Sequence, residues 1–250
     1  NRQKVDTAFL LAADIPPSNF CHFLSDTMPR LSFLDDFGRQ SVTIIQPVLA
    51  DFRFESESIS LAQKRRPQDE WISLANGQSF FVKELLYVRQ SGMHPFFGCS
   101  GWAIDYLRSL FLGEVSKPSN YKDFLILDRP RRRLLNHDDL VNNLEKYGSC
   151  TNISSLESLP VSDQIQMFAS HRHIVAPHGA ALTLLAFKGD YPSSATEIIP
   201  EGSGMPTFSM ISYKLQIDHR IYGCQAVSTS HPNYPDMEPD IEDLTDFVVG

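Results

Sequence analysis

The chain has 250 residues, 42% of them hydrophobic and 21% charged, with a formal net charge of −8 at pH 7. These fractions sit near globular averages and exclude a disordered or collagen-like chain, and the length suffices for one large domain or two of about 100 to 150 residues each. An acidic balance argues against a general nucleic-acid binder, so any anion site must come from local clustering.

Cys21, Cys99, Cys150 and Cys224 are far apart and lack C-x-x-C spacing, which reads as free or buried thiols. No run reaches the roughly 18 to 20 apolar residues needed to span a bilayer, and the start has no secretory pattern. The expectation is a cytoplasmic protein working at the inner membrane surface. Because the chain opens at Asn1, a trimmed targeting segment would instead place it in the secretory lumen.

In chain order, Ser18 or Asn19 can cap a helix reaching about Asp36, followed by a strand near Val42 to Val48 and an extended segment near Phe80 to Val88. A turn-rich stretch, Gly92 to Gly98, precedes a helix from Gly101 to Leu112 on the spacing of Trp102, Ile104, Leu107, Leu110 and Phe111. GEVSKPSN, residues 113–120, reads as a linker. Beyond it come a strand at Phe124 to Leu127 and a helix from Asp138 to Tyr147 closed by Gly148 as a left-handed cap. Ser162 caps a helix from Asp163 to Ser170, a strand covers Ile174 to Ala176, a helix covers Ala180 to Phe187, and a strand covers Thr196 to Ile199. This alternation predicts an α/β fold with a parallel sheet in the carboxyl-terminal half, with ligands at the carboxyl ends of its strands. The acidic tail, HPNYPDMEPDIEDLTDFVVG, suggests an extended start and then a strand or short helix.

Three groups of residues could carry chemistry. In SNFCHFLSDTMPRL, helical spacing separates an apolar stripe from a polar row of His22, Asp26 and Arg30. Asp26 can polarise His22 and pair with Arg30, and Pro29 should kink the row. Spacing alone equally describes a solvated face with i,i+4 ion pairs. In LDRPRRRLLNHDDL, arginines follow a strand and precede a helix, which suits either bidentate diphosphate binding or a surface basic cluster. In HRHIVAPHGAALTLLAF, the strand ends at Pro177 and a helix begins after Gly179. Its first N–H groups favour an anion, Gly179 admits close approach, and His178 projects as a donor or sits as a satisfied core histidine.

Other chemistries fit less well. His171 and His173 lie at the opposite end of their strand from His178, which weakens a zinc site. There is no G-x-S-x-G elbow, phosphate-binding loop or complete dinucleotide fingerprint, so esterase, NTPase and dehydrogenase readings lose support. Glu197, on TEII, could accept hydrogen bonds from a ribose or stand as an exposed acid.

Together these blocks resemble glycosyltransferase family 61, the capsular-polysaccharide-type group. NFCHFLSDTMPRL is similar to its N-[YF]-x-H-[WF]-L-x-D-x-x-P-R-L block at Asn19, His22, Asp26, Pro29 and Arg30. LDRPRRRLLN is similar to its I-S-R…R-R-I-x-N-E block at Arg129, Arg133 and Asn136. Asp163, Gln164 and Phe168 match a helical segment, IVAPHGAALTLLAF matches I-V-[GA]-P-H-G-A-[AG]-L-x-N-x-x-F, and TEIIP matches V-I-E-[IL]-x-P. His137 stands where the family usually has Glu, and Thr183 where it often has Asn.

The resemblance implies a GT-B-like pair of Rossmann-like α/β domains and an inverting hexosyl- or pentosyltransfer from a nucleotide-sugar donor to a hydroxyl of a glycan or other acceptor. Residues 1–114 would form the acceptor-side domain, and residues 115–250 the nucleotide-sugar-binding domain with its acidic tail. Arg129, Arg133, Asn136, His178, Gly179, Ala180 and Glu197 would hold the donor. Asp26, with His22 as the alternative, would take the acceptor proton, with Arg30, Asn19 and Gln164 in support. Fixed donors at the diphosphate would remove the need for a metal, and no cofactor is expected. The competing expectation is a non-catalytic carbohydrate- or partner-binding protein on the same fold.

Overall fold

A computed structural model describes residues 3–12, 19–38, 41–47, 52–75, 77–89, 100–114, 120–189, 191–203, 207–227 and 235–250. The chain divides into two compact units, Asn1–Gly113 and Glu114–Gly250. Most of the 113–120 linker expectation and all of Gly92 to Gly98 fall outside the described residues.

The first unit holds strands β1 (Gln3–Leu10), β2 (Thr43–Pro47), β3 (Glu70–Leu74) and β4 (Phe80–Tyr87), all parallel in the order β3-β2-β1-β4. Between β1 and β2 runs a composite helix: α1 (Phe20–His22), a π-helical turn Phe23–Thr27, a 3-10 turn Met28–Ser32 and α2 (Phe33–Asp36). Helix α3 (Arg53–Arg65) joins β2 to β3, and α4 (Gly101–Phe111) follows β4. Of the two central strands, β2 buries Ile44, Ile45 and Gln46 in succession, whereas β1 alternates exposed Lys4 and Asp6 with buried Val5 before its buried end at Ala8 and Phe9. Val5, Ala8 and Ile45 pack with Ile72, Leu74 and Val82, while Phe9 and Ile44 are fully buried. Helix α4 buries Ile104, Leu107, Leu110 and Phe111 as its spacing demands, but Trp102 stays 38% exposed.

The second unit contains β5 (Lys122–Leu127), α5 (His137–Leu144), β6 (Cys150–Ile153), α6 (Val161–Ser170), β7 (His171–Pro177) and β8 (Ser194–Pro200). It continues with α7 (Thr207–Lys214), β9 (Asp218–Cys224), β10 (Ala226–Val227), β11 (Asp236–Met237) and α8 (Ile241–Val249). Its main sheet is wholly parallel, in the order β6-β5-β7-β8-β9. The order reverses between β5 and β7, so the loops leaving those two strands flank a topological switch point, the usual ligand position in open α/β sheets. One face packs Phe124, Ile126, Val175 and Ile198 against Leu140, Leu144, Leu244 and Val248 from α5 and α8.

Three local expectations are corrected. The segment Ala180–Phe187 is a 3-10 helix rather than an α-helix. Its residues Leu182 to Phe187 are all buried, so packing rather than an amphipathic stripe shapes it. Gly148 is not a left-handed cap: α5 ends at Leu144, and Gly148 lies where a Cβ would come within 2.7 Å of Asp123 Oδ2. Ser162 is inside α6, which begins at Val161 behind Pro160 with no side-chain cap.

The acidic tail is ordered structure. Strand β11 pairs with β10 and bridges Leu134, and Met237 exchanges main-chain hydrogen bonds with Arg133 and Leu135 at 2.8 and 2.9 Å. Cys21, Cys150 and Cys224 are free thiols, and Cys99 lies outside the described residues. Among the described residues no helix is long and apolar enough to cross a membrane.

Candidate functional site

Each unit presents, among its described residues, a cluster that gathers the expected site side chains. In the first, Asn19 accepts a hydrogen bond from the Cys21 N–H at 2.8 Å and so caps the composite helix. His22 Nδ1 donates to Asp26 Oδ2 at 2.7 Å, with side-chain exposures of 19% and 2%. The i,i+4 pairing survives because the helix widens here: the Met28 N–H bonds back five residues to the Phe23 carbonyl. Pro29, which has no N–H to continue the ladder, then opens the tighter 3-10 turn. Arg30 is also held by main-chain acceptors. The buried guanidinium donates from Nε to the Asp26 carbonyl at 2.8 Å and from Nη1 to the Val88 carbonyl, and lies 5.8 Å from the Tyr87 ring centroid. Arg30 thus ties the helix to the end of β4, while His22 and Asp26 form a dyad with its imidazole at the surface.

In the second unit, the loops after β5 and β7 meet. Arg129 Nη1 and Arg132 Nη1 both donate to the main-chain carbonyl of His178, the latter at 2.9 Å. Arg132 has a left-handed backbone, φ 58°, which turns its side chain back from the exposed side of the PRRR turn. Arg133, expected beside Arg129, points elsewhere: its guanidinium holds Asp236 Oδ2 at 2.8 Å and its N–H holds Oδ1 at 3.0 Å. That pairing keeps the Asp236 carboxyl below its ordinary range. Beside Arg129 therefore stands Arg132, where the family resemblance had implied Arg133.

Gly179 has extended backbone, φ 169°, so its value is steric: any Cβ would run into the Arg129 guanidinium. The first bond of the 3-10 helix runs from the Leu182 N–H to the Gly179 carbonyl at 2.9 Å, leaving the amides of Ala180 and Ala181 ahead of the ladder. These amides and two guanidinium groups converge on one strand end, an arrangement suited to an anion.

The His178 ring is held from behind. Its Nδ1 donates to Glu197 Oε1, and His219 Nε2 donates to Glu197 Oε2 at 2.9 Å. Ser212 Oγ in turn donates to His219 Nδ1 at 2.8 Å. Glu197 is 1% exposed, and each of its carboxylate oxygens accepts a hydrogen bond from an imidazole. Burial pushes the Glu197 carboxyl upward, but the hydrogen bonds from His178 and His219 outweigh it and hold the group below its ordinary value. The His178 side chain keeps 21% exposure, so its other nitrogen is the one placed to meet a ligand.

Two further expected site residues make hydrogen bonds within the second unit. Asn136 donates to the Pro239 carbonyl at 2.7 Å, and Gln164 donates to the Leu159 carbonyl at 2.9 Å ahead of α6. His171 is buried between the Met167 carbonyl and the Thr151 hydroxyl, and desolvation lowers its pKa. Among the described residues no group of three or more His, Cys, Asp or Glu side chains is placed to hold a metal ion.

Sequence reasoning missed His219 and Ser212. No local motif marks them; the contact between Glu197 and His219 exists only because β8 and β9 pair in parallel, setting His219 opposite Ala195 and so diagonally across from Glu197. In comparison with known proteins, no curated protein matches the chain. The family model described as Glycosyltransferase 61 matches residues 20–204.

Proposed function

We propose, from the premise that this chain belongs to the glycosyltransferase 61 family, that it moves a sugar from a nucleotide-sugar donor to a hydroxyl with inversion at the anomeric carbon. The observation that carries the donor half is the meeting of Arg129 and Arg132 on the His178 carbonyl at the switch point of the second sheet. In this reading the carboxyl-terminal unit takes the donor and the amino-terminal unit the acceptor, the division of labour of a GT-B enzyme.

The donor diphosphate would lie against the two guanidinium groups and the amides of Ala180 and Ala181. As the glycosidic bond breaks, both electrons pass to the phosphate oxygen, and fixed donors already aimed there stabilise the new charge. His178 would donate from Nε2 while Glu197 stabilises the charged ring. Water enters no step, because the attacking oxygen belongs to the acceptor. His22 would accept the acceptor's proton as that oxygen bonds to carbon, with Asp26 orienting the ring and offsetting its charge. Asp26 itself is too buried, at 2% side-chain exposure, to be the better base.

The test is calorimetric binding of UDP, GDP, ADP and CMP, followed by product analysis with sugar conjugates of whichever binds. Arg129→Ala and His178→Ala should each weaken binding about tenfold or more in a folded protein. His22→Ala should leave nucleotide binding intact and lower turnover by about 100-fold or more. Absence of binding to every nucleotide would overturn the reading.

A further inference from the structure

Strand β9 closes one side of the main sheet of the second unit: it pairs with β8, and among the described residues no strand lies beyond it. Its main-chain groups alternate in direction. The Asp218 N–H bonds to the Ser193 carbonyl at 3.0 Å, and the Cys224 carbonyl accepts from the Glu201 N–H at 2.9 Å, so the even-numbered residues turn towards β8. His219, Ile221 and Gly223 therefore turn their N–H and C=O groups outward. The strand has seven residues, against four in β6 at the opposite side of the sheet.

Open edges of this length pair with other strands unless like charge, proline or a bulge blunts them. Strand β9 instead carries one base and one acid, Arg220 and Asp218, on the same face and joined at 2.8 Å. Such a pair does not repel an identical strand. In an antiparallel pair related by a two-fold axis perpendicular to the sheet, one residue lies opposite itself. An axis at His219 sets each Asp218 opposite the partner's Arg220, in the closely spaced position between main-chain hydrogen bonds. An axis at Arg220 would oppose two guanidinium groups, and one at Ile221 would leave Asp218 opposite Cys224.

Apolar surface surrounds this edge. Ile221 is 47% exposed on the strand itself, and Tyr213, at the end of α7, is 88% exposed. Helix α7 covers one face of β9 through the Ser212 bond to His219, and α8 covers the other, with its exposed Phe247 against the Tyr222 ring at 5.4 Å and its carbonyl bonded to Arg220. Polar groups at the centre and apolar side chains on both flanks fit a partner with the same arrangement.

We propose that β9 is a self-association edge, through which two copies of this chain pair antiparallel about His219 and join their main sheets into one. The residue on the axis is the one whose imidazole holds Glu197 Oε2, so association braces the support of His178 from outside.

Sedimentation velocity of the full chain over about 1 to 100 µM should show a monomer–dimer equilibrium. Arg220→Asp leaves two acids on each strand and Asp218→Arg two bases, so each variant alone should dissociate at least about tenfold more readily. An equimolar mixture of the two should recover the wild-type affinity as a heterodimer. Hydrogen exchange of the β9 segment in wild type needs no variant, and should slow at the higher concentration. Three results would each overturn the proposal: a wild type that stays monomeric throughout, a dimer whose β9 exchange is independent of concentration, or folded charge variants whose mixture associates no better than either alone.

Discussion

The guanidinium of Arg132 reaches the carbonyl of His178 at 2.9 Å from a residue whose own φ is 58°. A side chain in that backbone region carries strain that glycine does not. Arg132→Gly should therefore be more stable than Arg132→Ala by about 1 kcal/mol in urea unfolding, while both bind nucleotide more weakly than wild type. Equal stability of the two variants would mean that the turn relaxes once the guanidinium is gone.

Gly179 separates shape from conformation. Its φ of 169° suits any residue, but a Cβ would displace the Arg129 guanidinium. Gly179→Ala should change the unfolding midpoint little, because only a flexible side-chain end must move, yet weaken nucleotide binding by about tenfold. A large stability loss with unchanged affinity would contradict this account.

His219 lies beyond the region matched by the family model, yet it supplies one of the two donors to Glu197. His219→Phe strands Glu197 Oε2 in the interior and should cost about 1–3 kcal/mol. Glu197 is held below its ordinary value of 4.5, so its contribution is full above pH 4.5 and is lost as the pH falls through the folded-state value. With one donor gone, the variant should begin losing that contribution at higher pH than wild type, as read from paired acid titrations followed by circular dichroism.

Lys188, 1% exposed, is pushed by burial from an ordinary 10.5 down to about 7. Between these values the unfolded chain holds a proton that the folded chain lacks, so stability from this group rises as the pH increases from 7 towards 10.5. The difference in unfolding free energy between wild type and Lys188→Met should change in that direction by up to about 1.4 kcal/mol per pH unit. Denaturant unfolding at pH 7.5, 8.5 and 9.5 measures it, and a flat difference would refute it. The variant should still fold, because Tyr191 also donates to the His171 carbonyl, at 2.8 Å.

Much of the second unit was legible because strand runs such as FLIL and IVA are short, apolar and separated by amphipathic helical windows. The first unit was harder to read. Helix α3 buries Glu55 and Ser58 along with Ile59 and Ala62, so its inward face carries little hydrophobic periodicity, and β1 and β3 are short runs interrupted by polar residues. At the candidate site, His178, Gly179 and Arg129 were legible as a strand end meeting a glycine and an arginine turn. The choice of Arg132 over Arg133 was not, because it depends on one positive φ and on a carboxylate at Asp236, more than 100 residues along the chain. The inward turn of Glu197 likewise depended on a neighbour from another strand.

The clasp between residues 236–239 and the arginine turn makes distant sequence a supporting member of the proposed donor loop. Asp236, Met237 and Pro239 brace Arg133, Leu135 and Asn136, and α8 packs its Leu244 and Val248 into the sheet core behind them. Shortening the chain before Asp236 would remove these braces without touching a single proposed ligand contact. In the proposed reading, substrate preference would therefore drift through changes in residues 236–250, where a comparison confined to the family-matched residues 20–204 would never look.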